Sequence, residues 1–333
     1  MTTATNAPHV VVVVLTWNGL DDLTTCLESF TCVEYPNYKV LVVDNGSEDN
    51  TGAVVRERYP WVTLIENGTN LGYVGGNNVG MRYALEHAAD YVFILNNDTK
   101  MTANVLTELV RVMQGDPRIA ITGSKNLLMA DPTQTWAKYG VLNWGPMLSK
   151  LVGRYAPDTP EDSPKDVDWV IGNGCLMRRE ALERVGLFDE AFFQVHEDID
   201  WSTRAREAGY RIVYVDTVGI HHKGAGSAAA ERPVVFSYGY FLGRNPILFA
   251  RKHATPAQWV KLLVMMGAGL LLRILVTTGT HAVAAIGGQR RFLLGMIDGF
   301  SGRLRPELAI VRTQEATDLA SRIAGRLRRW LAA

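Results

Sequence analysis

Short apolar runs alternate with amphipathic stretches along the front of the chain. Four of these runs predict strands, which span residues 9–15, 39–43, 62–65 and 91–95. The stretches between them have helical periodicity and predict helices over residues 20–30, 51–58 and 78–88. Near-continuous apolar strands that alternate with helices are typical of a parallel sheet covered by helices on both faces. The pattern therefore predicts an α/β fold with a mostly parallel sheet.

Polar residues follow the predicted strands where these end. The first strand leads into Thr16 and Asn18, the second into Asp44, and the fourth into Asn96-Asn97-Asp98. Asn and Asp are common strand terminators, because they hydrogen-bond to their own backbone and tolerate turns. In parallel α/β sheets, however, ligands bind beyond the carboxyl ends of the strands. Together these residues predict a polar rim at which a nucleotide or a metal ion could bind.

Asp98 is the acid of this rim whose surroundings suggest metal binding. Mg²⁺ prefers one or two protein carboxylates and completes its coordination with substrate phosphates and water. A single acid flanked by two amides is compatible with a metal–diphosphate site, but not with a site made by protein ligands alone. Taken by itself, the residue is better explained as a strand terminator.

A glycine-rich segment, Gly75-Gly76-Asn77-Asn78, precedes the third predicted helix. Glycine lets the backbone approach a ligand closely, and a helix N-terminus favours anions. The alternative is an ordinary glycine-rich turn. A GxGxxG motif after a strand and a GxxxxGK[ST] motif are both missing from the sequence, so dinucleotide binding and P-loop nucleotide binding are not supported.

Acidic residues mark the start of a later helix, which is predicted to begin near Asp198 and to end at Gly209. Glu197, Asp198 and Asp200 cluster at its start. Acids in the first turn stabilise a helix through its free N–H groups and its dipole, which explains one or two of the three. A carboxylate beside a pocket could also act as a general base. A strand over residues 211–215 is predicted to follow.

Two histidines, His221 and His222, come next and precede the segment KGAGS. A neutral imidazole is a good ligand for divalent transition-metal ions. The glycine-rich segment after them is typical of a loop that closes over a substrate. Earlier in the chain, residues 156–168 are rich in proline and acids and predict a mobile loop.

Charge is distributed unevenly along a chain that is neutral overall. From Arg232 onward there are 15 Lys and Arg against 4 Asp and Glu, whereas the preceding part has 19 against 30. A basic C-terminal region suggests an anionic surface as its partner. The three cysteines form no CxxC pair, which favours a reducing compartment and argues against a zinc or disulfide framework. The N-terminal residues carry no Lys or Arg, and we expect no targeting signal there.

Residues 258–288 are very apolar, but Arg273 interrupts them. A charged residue within a spanning helix is costly, so we predict helices that lie on the membrane interface rather than cross it. The last helical pattern carries apolar residues at helical spacing and arginines elsewhere: Leu319, Ile323, Leu327 and Trp330 against Arg322, Arg326, Arg328 and Arg329. Such a basic amphipathic helix favours a membrane surface, although it could also pack on the catalytic domain or a dimer partner.

Seven segments occur in one order: VVLTWNG, VVDNGSEDNT, NLGYVGGNNVG, FILNNDT, IGNGCLMRREALERVGLFDE, HEDIDWSTRAREAGYR and HHKGAGS. In this order they strongly resemble the family-two inverting glycosyltransferases of the GT-A fold, especially the rhamnosyltransferase-like branch. The resemblance covers roughly residues 8–250. It implies a nucleotide-sugar-binding catalytic domain over residues 1–230 and a helical, basic, membrane-associating region over residues 231–333.

The resemblance also implies residue roles. Asp198 is similar to the general base, with Glu197 beside it, while Asp98 and His222 would bind Mg²⁺ or Mn²⁺, with His221 as the alternative ligand. Donor-binding positions are Thr16, Asn18, Asp44, Gly76, Asn77 and Asn97. Acceptor-binding positions are Trp169, Asn173, Gly174 and Arg244. The chain departs from the family in its metal motif, which is Asn-Asn-Asp rather than Asp-x-Asp, and it lacks the QxxRW signature of processive relatives.

We therefore expect metal-dependent, inverting transfer of one sugar per encounter, with dTDP-rhamnose as the favoured donor. The acceptor would be a hydroxyl of a glycan or lipid-linked molecule in cell-surface polysaccharide synthesis, at the cytoplasmic face of the membrane, where the protein would be peripheral or monotopic. Alternatives are a UDP-hexose donor, a nucleotidyltransferase, or a non-catalytic membrane adaptor. The segment TWNGLDD after the first strand has no Lys or Arg, which disfavours the nucleotidyltransferase. No nucleic acid partner is expected, and homo-oligomer formation is left open.

Overall fold

A computed structural model describes residues 7–224, 234–236, 239–276, 282–308 and 310–312. The chain divides into two compact units. The first unit comprises residues 1–142, 151–193 and 197–224, and the second comprises residues 143–150, 194–196 and 225–333. The predicted domain boundary at residue 230 stays a prediction.

The predicted strands at the front of the chain are present and lie side by side. They are β1 (Val10–Thr16), β2 (Tyr38–Asp44), β3 (Thr63–Glu66) and β4 (Tyr91–Asn96). They pair in parallel in the order β4-β1-β2-β3. The residues of β1 from Val10 to Val14 are completely buried, as expected for an apolar strand at the centre of a covered sheet.

Nine further strands lie between residues 99 and 222: β5 (Thr99–Lys100), β6 (Ile119–Leu128), β7 (Gln134–Ala137), β8 (Tyr139–Leu142), β9 (Ser149–Val152), β10 (Ala156–Pro157), β11 (Lys165–Asp166), β12 (Cys175–Arg178) and β13 (Arg211–His222). Strand β12 runs antiparallel between β4 and β6, and β13 is parallel to β6. The sheet is therefore mixed, and the prediction of a mostly parallel sheet is correct for β1 to β4 but not for the sheet as a whole. The last strand is longer than the predicted 211–215, because it continues to His222 beyond an irregularity in its register.

The helices of the first unit are α1 (Leu20–Glu28), α2 (Thr51–Arg58), α3 (Gly72–Glu86), α4 (Val105–Gly115), α5 (Arg179–Val185) and α6 (Glu197–Glu207). Helix α3 begins earlier than the sequence predicts. Side-chain oxygens of Asn45 and Asn70 accept hydrogen bonds from the amides of Leu71 and Gly72, at 3.1 and 2.8 Å, and so cap the start of the helix. The segment 75–78 consequently lies inside the helix and is not a turn.

Ion pairs fix the segment 156–168, which the sequence predicted as a mobile loop. Lys125 binds Asp158 at 2.7 Å, and the nearly buried Lys138 binds Glu161 at 3.1 Å. Strands β10 and β11 also form within it. The acids that suggested a solvated loop are instead the partners of lysines from β6 and from the end of β7.

The second unit contains α7 (Gly239–His253), α8 (Pro256–Val276), α9 (Ala282–Ser301) and a pair of antiparallel strands, β14 (Val234–Phe236) and β15 (Ile310–Arg312). Helices α7 and α9 pack closely through Gly243 and Gly295, where a Cβ atom would collide with the backbone of Phe292 and Tyr240 respectively. None of the described helices combines the length and the apolarity that crossing a membrane requires. The amphipathic helix predicted near residues 319–330 and the closing loop predicted at 225–227 lie outside the described residues.

Candidate functional site

The strand register brings the polar strand ends of the first unit together. Thr16 pairs with Asp44 across β1 and β2, and Leu15 pairs with Asn96 across β1 and β4. The side-chain amide of Asn97 then donates to Thr16 Oγ1 at 3.0 Å. The polar rim predicted from the strand ends therefore exists as a connected group of side chains.

Asp44 and Asn18 hold the loop that follows β2. Asp44 is almost fully buried, and its Oδ1 accepts a hydrogen bond from the amide of Ser47 at 2.9 Å. Asn18 has a positive φ of 48°; its amide donates to Ser47 Oγ at 2.9 Å and its side chain accepts from Glu48 at 2.7 Å. Both residues shape the rim, and their contacts with a donor stay a prediction.

Asn45 organises the next loop, a role that the sequence did not reveal. Its Nδ2 donates to Asn70 Oδ1 and to the carbonyl of Gly72, each at 3.0 Å. Its Oδ1 accepts from Asn67 Nδ2 and from the amide of Leu71, at 3.0 and 3.1 Å. The only available sequence signal was its position directly after the acid of the second strand end.

The contacts of Gly76 and Asn77 do not support the predicted donor binding. The space beside the Cα of Gly76 is filled by the side chain of Leu15, so this glycine allows α3 to pack on β1. Asn77 is completely buried and its Nδ2 donates to the carbonyl of Tyr73 at 2.9 Å. The glycine-rich pattern was misinterpreted because helix-to-strand packing demands small residues as strictly as ligand approach does.

The two predicted metal ligands lie side by side. Strand pairing places His222 opposite Thr99, and His222 Nε2 is 3.3 Å from Asp98 Oδ2. Two ligand atoms that each bind one ion at about 2.0–2.2 Å are separated by about 2.8–3.6 Å, for angles between octahedral and tetrahedral. The amide of Lys223 donates to the carbonyl of Asp98 at 2.9 Å and fixes the backbone there. The pair is suited to sharing one divalent ion.

Additional features of this pair agree with a metal ion whose coordination shell is completed by oxygen atoms of the substrate. His222 is nearly buried, and its Nδ1 has no hydrogen-bond partner among the described residues. The part of the chain that the structure describes contains no cluster of three or more His, Cys, Asp or Glu that could hold an ion. Two protein ligands leave positions for diphosphate oxygens and water, which is the arrangement Mg²⁺ prefers.

His221 occupies a different environment from its neighbour. It pairs with Lys100 across β5, and successive side chains of a strand point to opposite faces. Burial, together with the charge of Lys100, lowers the pKa of His221. Of the two histidines, His222 is therefore the one positioned beside Asp98.

Asp198 lies at the start of α6 and is only partly buried. Its Oδ1 accepts a hydrogen bond from the amide of Ile199 at 2.9 Å, and its Oδ2 accepts from the amide of Gly172 at 3.2 Å. Burial raises the pKa of Asp198 to about 6, while these two hydrogen bonds oppose the rise. A carboxylate whose pKa lies close to neutrality is well suited to general base catalysis.

The other acids of this helix are placed differently. Asp200 is completely buried and binds Arg204 Nε at 2.8 Å, while Arg204 also donates to the carbonyls of Val185 and Leu187. Glu197 is 5% exposed. Asp200 is thus the acid with a structural explanation, and Asp198 is the one that solvent or an acceptor can reach.

Backbone strain precedes these acids. Three non-glycine residues just before α6 have positive φ angles: Phe193 (62°), Val195 (66°) and His196 (73°). For the β-branched Val195 such a conformation is unusual. Strain of this kind is concentrated at functional sites, where the surrounding structure enforces it.

Asn173 and Gly174, two of the predicted acceptor residues, connect elements of the sheet. Asn173 Oδ1 accepts from the amide of Asn96 at 2.9 Å, and its Nδ2 donates to Thr99 Oγ1 and Asn126 Oδ1 at 3.0 and 3.1 Å. Gly174 has φ +76°, and a Cβ there would lie 2.5 Å from Ile220. These contacts indicate a structural role, and acceptor binding by either residue stays a prediction without support from them.

The remaining predicted acceptor residues are also buried. Trp169 is 5% exposed and its indole packs directly against Gly140. Arg244 belongs to the second unit and is completely buried, with its Nε donating to the carbonyl of Arg303 at 2.6 Å and its Nη1 to Asn245 Oδ1 at 2.9 Å. The contacts of Arg244 stabilise α7, so its predicted contact with an acceptor lacks support.

Residues 7–232 match the family model described as "Glycosyltransferase like family 2". The chain belongs to this glycosyltransferase family. The resemblance inferred from the ordered motifs is thereby confirmed, and so is the prediction that the protein is a glycosyltransferase.

Among curated proteins, this family-two glycosyltransferase is 30% identical over 236 residues to the N-acetylglucosaminyl-diphospho-decaprenol L-rhamnosyltransferase of Mycobacterium tuberculosis, covering 64% of this chain and 75% of that one. It is 23% identical over 313 residues to the dTDP-rhamnosyl transferase RfbF of Shigella flexneri, covering 88% of this chain and 96% of that one. The rhamnosyltransferase-like branch suggested by the motifs is thus represented among its relatives.

A solved structure supports the fold prediction for this glycosyltransferase. The mannosyltransferase PcManGT from Pyrobaculum calidifontis, in complex with GDP-Man and Mn²⁺, matches with a TM-score of 0.55 and 19% identity, covering 90% of this chain and 89% of that one. The predicted GT-A-like α/β fold, with a central sheet flanked by helices, is therefore confirmed. The membrane-associating role predicted for the C-terminal region stays a prediction.

Proposed function

We propose that this glycosyltransferase moves one rhamnosyl residue from a nucleoside-diphosphate donor to a hydroxyl group of a glycan or lipid-linked acceptor, with inversion at the anomeric carbon. The observation that carries the proposal is that residues 172–173 form hydrogen bonds both to Asp198 and to the end of β4. The amide of Gly172 binds Asp198 at 3.2 Å, and the next residue, Asn173, binds the amide of Asn96 at 2.9 Å. A candidate base and the strand end that carries Asp98 are therefore held together.

The donor would lie on the polar rim. Thr16 and Asp44, at the paired ends of β1 and β2, are the candidates for contacts with the base and ribose, and Asn18 and Asn97 adjoin them. Asp98 and His222 would hold a divalent ion, Mg²⁺ or Mn²⁺, beside the diphosphate. When bound, such an ion offsets the negative charge that builds up on the leaving diphosphate.

Asp198 would act on the acceptor. Its carboxylate removes the proton of the acceptor hydroxyl as the oxygen forms a bond to the anomeric carbon. The bond between that carbon and the diphosphate oxygen breaks at the same time, and the nucleoside diphosphate leaves from the opposite face with the bonding electron pair. Attack opposite to the leaving group inverts the configuration, and the proton ends on Asp198.

The relatives of the chain favour the rhamnose donor over the alternatives. Two relatives are named as rhamnosyltransferases, one of them a dTDP-rhamnosyl transferase. The missing QxxRW motif favours single additions over polymerisation. A transferase that uses a UDP-hexose donor is the second candidate.

A panel of donors tests this proposal. The purified full chain would be incubated with dTDP-rhamnose, UDP-glucose, UDP-N-acetylglucosamine and GDP-mannose, with Mg²⁺, Mn²⁺ or a chelator, and release of the nucleoside diphosphate would be measured. We expect metal-dependent turnover of dTDP-rhamnose above the other donors. Proton NMR of the transfer product would show the inverted anomer. Release from none of the donors, or a product with retained configuration, would overturn the proposal.

Exposed residues of the second unit support the proposed attachment to a membrane, and the cytoplasmic face stays a prediction. On α8, Val260, Val264 and Leu271 recur at helical spacing and are 64%, 58% and 57% exposed. On α9, Leu293, Ile297 and Phe300 follow the same spacing and are 42%, 63% and 52% exposed. Aligned exposed apolar residues of this kind are typical of helices that lie on a membrane interface.

Positive charge on the second unit favours its binding to an anionic membrane surface. Lys261, Arg290 and Arg303 are exposed on or next to these two helices. Each basic residue near an anionic membrane contributes about 1 kcal/mol of attraction. Attachment of this kind would bring the protein to an acceptor that is itself anchored in the membrane by a lipid.

A further inference from the structure

Tyr73, a residue outside the sequence-predicted site, is connected to the candidate base through a single intervening residue. Its hydroxyl donates a hydrogen bond to the carbonyl of Gly172 at 2.7 Å. The amide of Gly172 donates to Asp198 Oδ2 at 3.2 Å. A Cβ on Gly172 would lie 3.3 Å from the Tyr73 hydroxyl and 3.7 Å from Asp198, so the glycine is packed between the two side chains.

The position of Tyr73 is itself fixed by the start of α3. Gly72 has φ +76°, and a Cβ there would lie 2.6 Å from the carbonyl of Phe193. The same carbonyl accepts a hydrogen bond from the amide of Val74 at 2.9 Å. The first turn of α3 is therefore anchored on either side of Tyr73, and the tyrosine ring has a defined direction.

We propose that Tyr73 is a positioning residue, whose hydroxyl holds Gly172 so that the Gly172 amide can orient the carboxylate of Asp198 toward the acceptor hydroxyl. The proposal depends on the proposed role of Asp198 as the base. Asp198 accepts a backbone hydrogen bond from Ile199 within its own helix and one from Gly172. The hydrogen bond from Gly172 is the one that connects the carboxylate to a residue outside α6.

Tyr73 keeps its proton under working conditions. Burial, together with the negative charges of Glu197 and Asp198, raises the pKa of Tyr73 well above its usual value. The other titratable groups that face Asp198 are Glu197 on α6 and Cys175 on β12, and burial raises the pKa of the Cys175 thiol as well. Tyr73 and Cys175 therefore stay neutral while Asp198 titrates, and the tyrosine remains a donor.

Tyr73→Phe tests the inference in the full chain. Without the hydroxyl, Gly172 loses its anchor and the hydrogen bond that lowers the pKa of Asp198 weakens. We expect kcat to fall roughly tenfold, the effect of one hydrogen bond on the barrier, with donor KM unchanged. The acidic limb of the kcat/KM profile should move to higher pH, which a purely structural role would not cause.

Tyr35→Phe is the matched control. Tyr35 is buried, whereas Tyr73 is half-buried, and the Tyr35 hydroxyl donates to the carbonyl of Pro8 at the same distance of 2.7 Å. Among the described residues, Tyr35 has no connection to Asp198. This variant should keep both kcat and the acidic limb of the wild-type enzyme. If Tyr73→Phe folds and shows the wild-type kcat and pH profile, the inference is overturned.

Two further variants separate the possible failures. If Tyr73→Phe does not fold, Gly172→Ala supplies a second test, because its Cβ would lie 3.3 Å from the Tyr73 hydroxyl and would shift this hydroxyl slightly. An unchanged pH profile of that variant would then overturn the inference. Asp198→Asn shows whether the base assignment itself holds. An inactive Asp198→Asn with a wild-type-like Tyr73→Phe refutes the inference alone, whereas an active Asp198→Asn refutes the proposed function.

Discussion

His222 Nε2 lies 3.3 Å from Asp98 Oδ2, at the point where β13 runs alongside β5. The acid and the imidazole come from distant parts of the sequence, and strand pairing alone brings them together. Because the next residue, Lys223, binds the carbonyl of Asp98 through its amide at 2.9 Å and Asp22 through its side chain at 2.8 Å, the pair is held from several directions.

Metal-dependent donor binding should depend on His222 and not on His221. We expect His222→Ala to weaken the metal-dependent part of dTDP-rhamnose affinity by more than about tenfold, since even the loss of an outer partner costs this much in metal sites. His221→Ala is the matched control, and it should behave as the wild type. Calorimetry with Mn²⁺ and with a chelator would measure both. A larger loss of metal-dependent donor affinity in His221→Ala than in His222→Ala would refute the assignment of His222 as the metal ligand.

The pH dependence of transfer should report the ionisation of Asp198. A general base works in its deprotonated form, and burial raises the pKa of this carboxyl to about 6. The value of kcat/KM should therefore fall as the pH decreases through about 6 and reach a plateau above it. Steady-state rates between pH 4.5 and 8 would show this limb. A rate that stays constant down to pH 5 would speak against Asp198 as the base.

Asp200→Ala should destabilise the fold. Asp200 is completely buried, and removing it leaves Arg204, which it binds at 2.8 Å, without this partner. Breaking a buried pair in this way costs about 3–5 kcal/mol of unfolding free energy. Glu183→Ala is the control, since Glu183 pairs with Arg179 at the same distance and helical spacing but is 49% exposed. Urea denaturation would compare the two, and equal midpoints would contradict the structural role of Asp200.

Replacement of exposed apolar residues on α8 and α9 should reduce membrane binding. The double variant Val264→Glu, Ile297→Glu puts charge on two of the most exposed apolar positions of the second unit. In flotation with vesicles containing phosphatidylglycerol, we expect the wild type to float and the variant to stay in the soluble fraction. Tyr155→Glu, at an exposed position of the first unit, is the control. Absence of wild-type flotation with both anionic and phosphatidylcholine vesicles would defeat the membrane proposal.

Features with a local cause could be predicted from the sequence. The apolar strands and the polar residues that end them follow directly from side-chain periodicity, so the front of the sheet and the position of Asp98 were predicted correctly. The choice between His221 and His222 could not be made in this way, because it depends on the pairing of β13 with β5. Strand β13 continues past an irregularity in its register that the sequence pattern does not reveal.

Features that depend on distant contacts were not predicted. The start of α3 is set by side-chain caps from Asn45 and Asn70, and the segment 75–78 was consequently placed before the helix instead of inside it. The hydrogen bond of Tyr73 with Gly172 joins residues far apart in the sequence, and neither residue has a chemical signature of its own. The resemblance assigned Asn173 to the acceptor, whereas its hydrogen bond with the amide of Asn96 is visible only in the folded chain.

The most direct test of the central claim is the transfer rate of Asp198→Asn, measured with dTDP-rhamnose and a lipid-linked acceptor in the presence of Mn²⁺. The amide keeps the shape of the side chain but cannot take the proton of the acceptor hydroxyl. We predict donor affinity equal to that of the wild type and a decrease in kcat of about 10²–10⁴, the usual contribution of a general base. Transfer at a near wild-type rate would contradict the account.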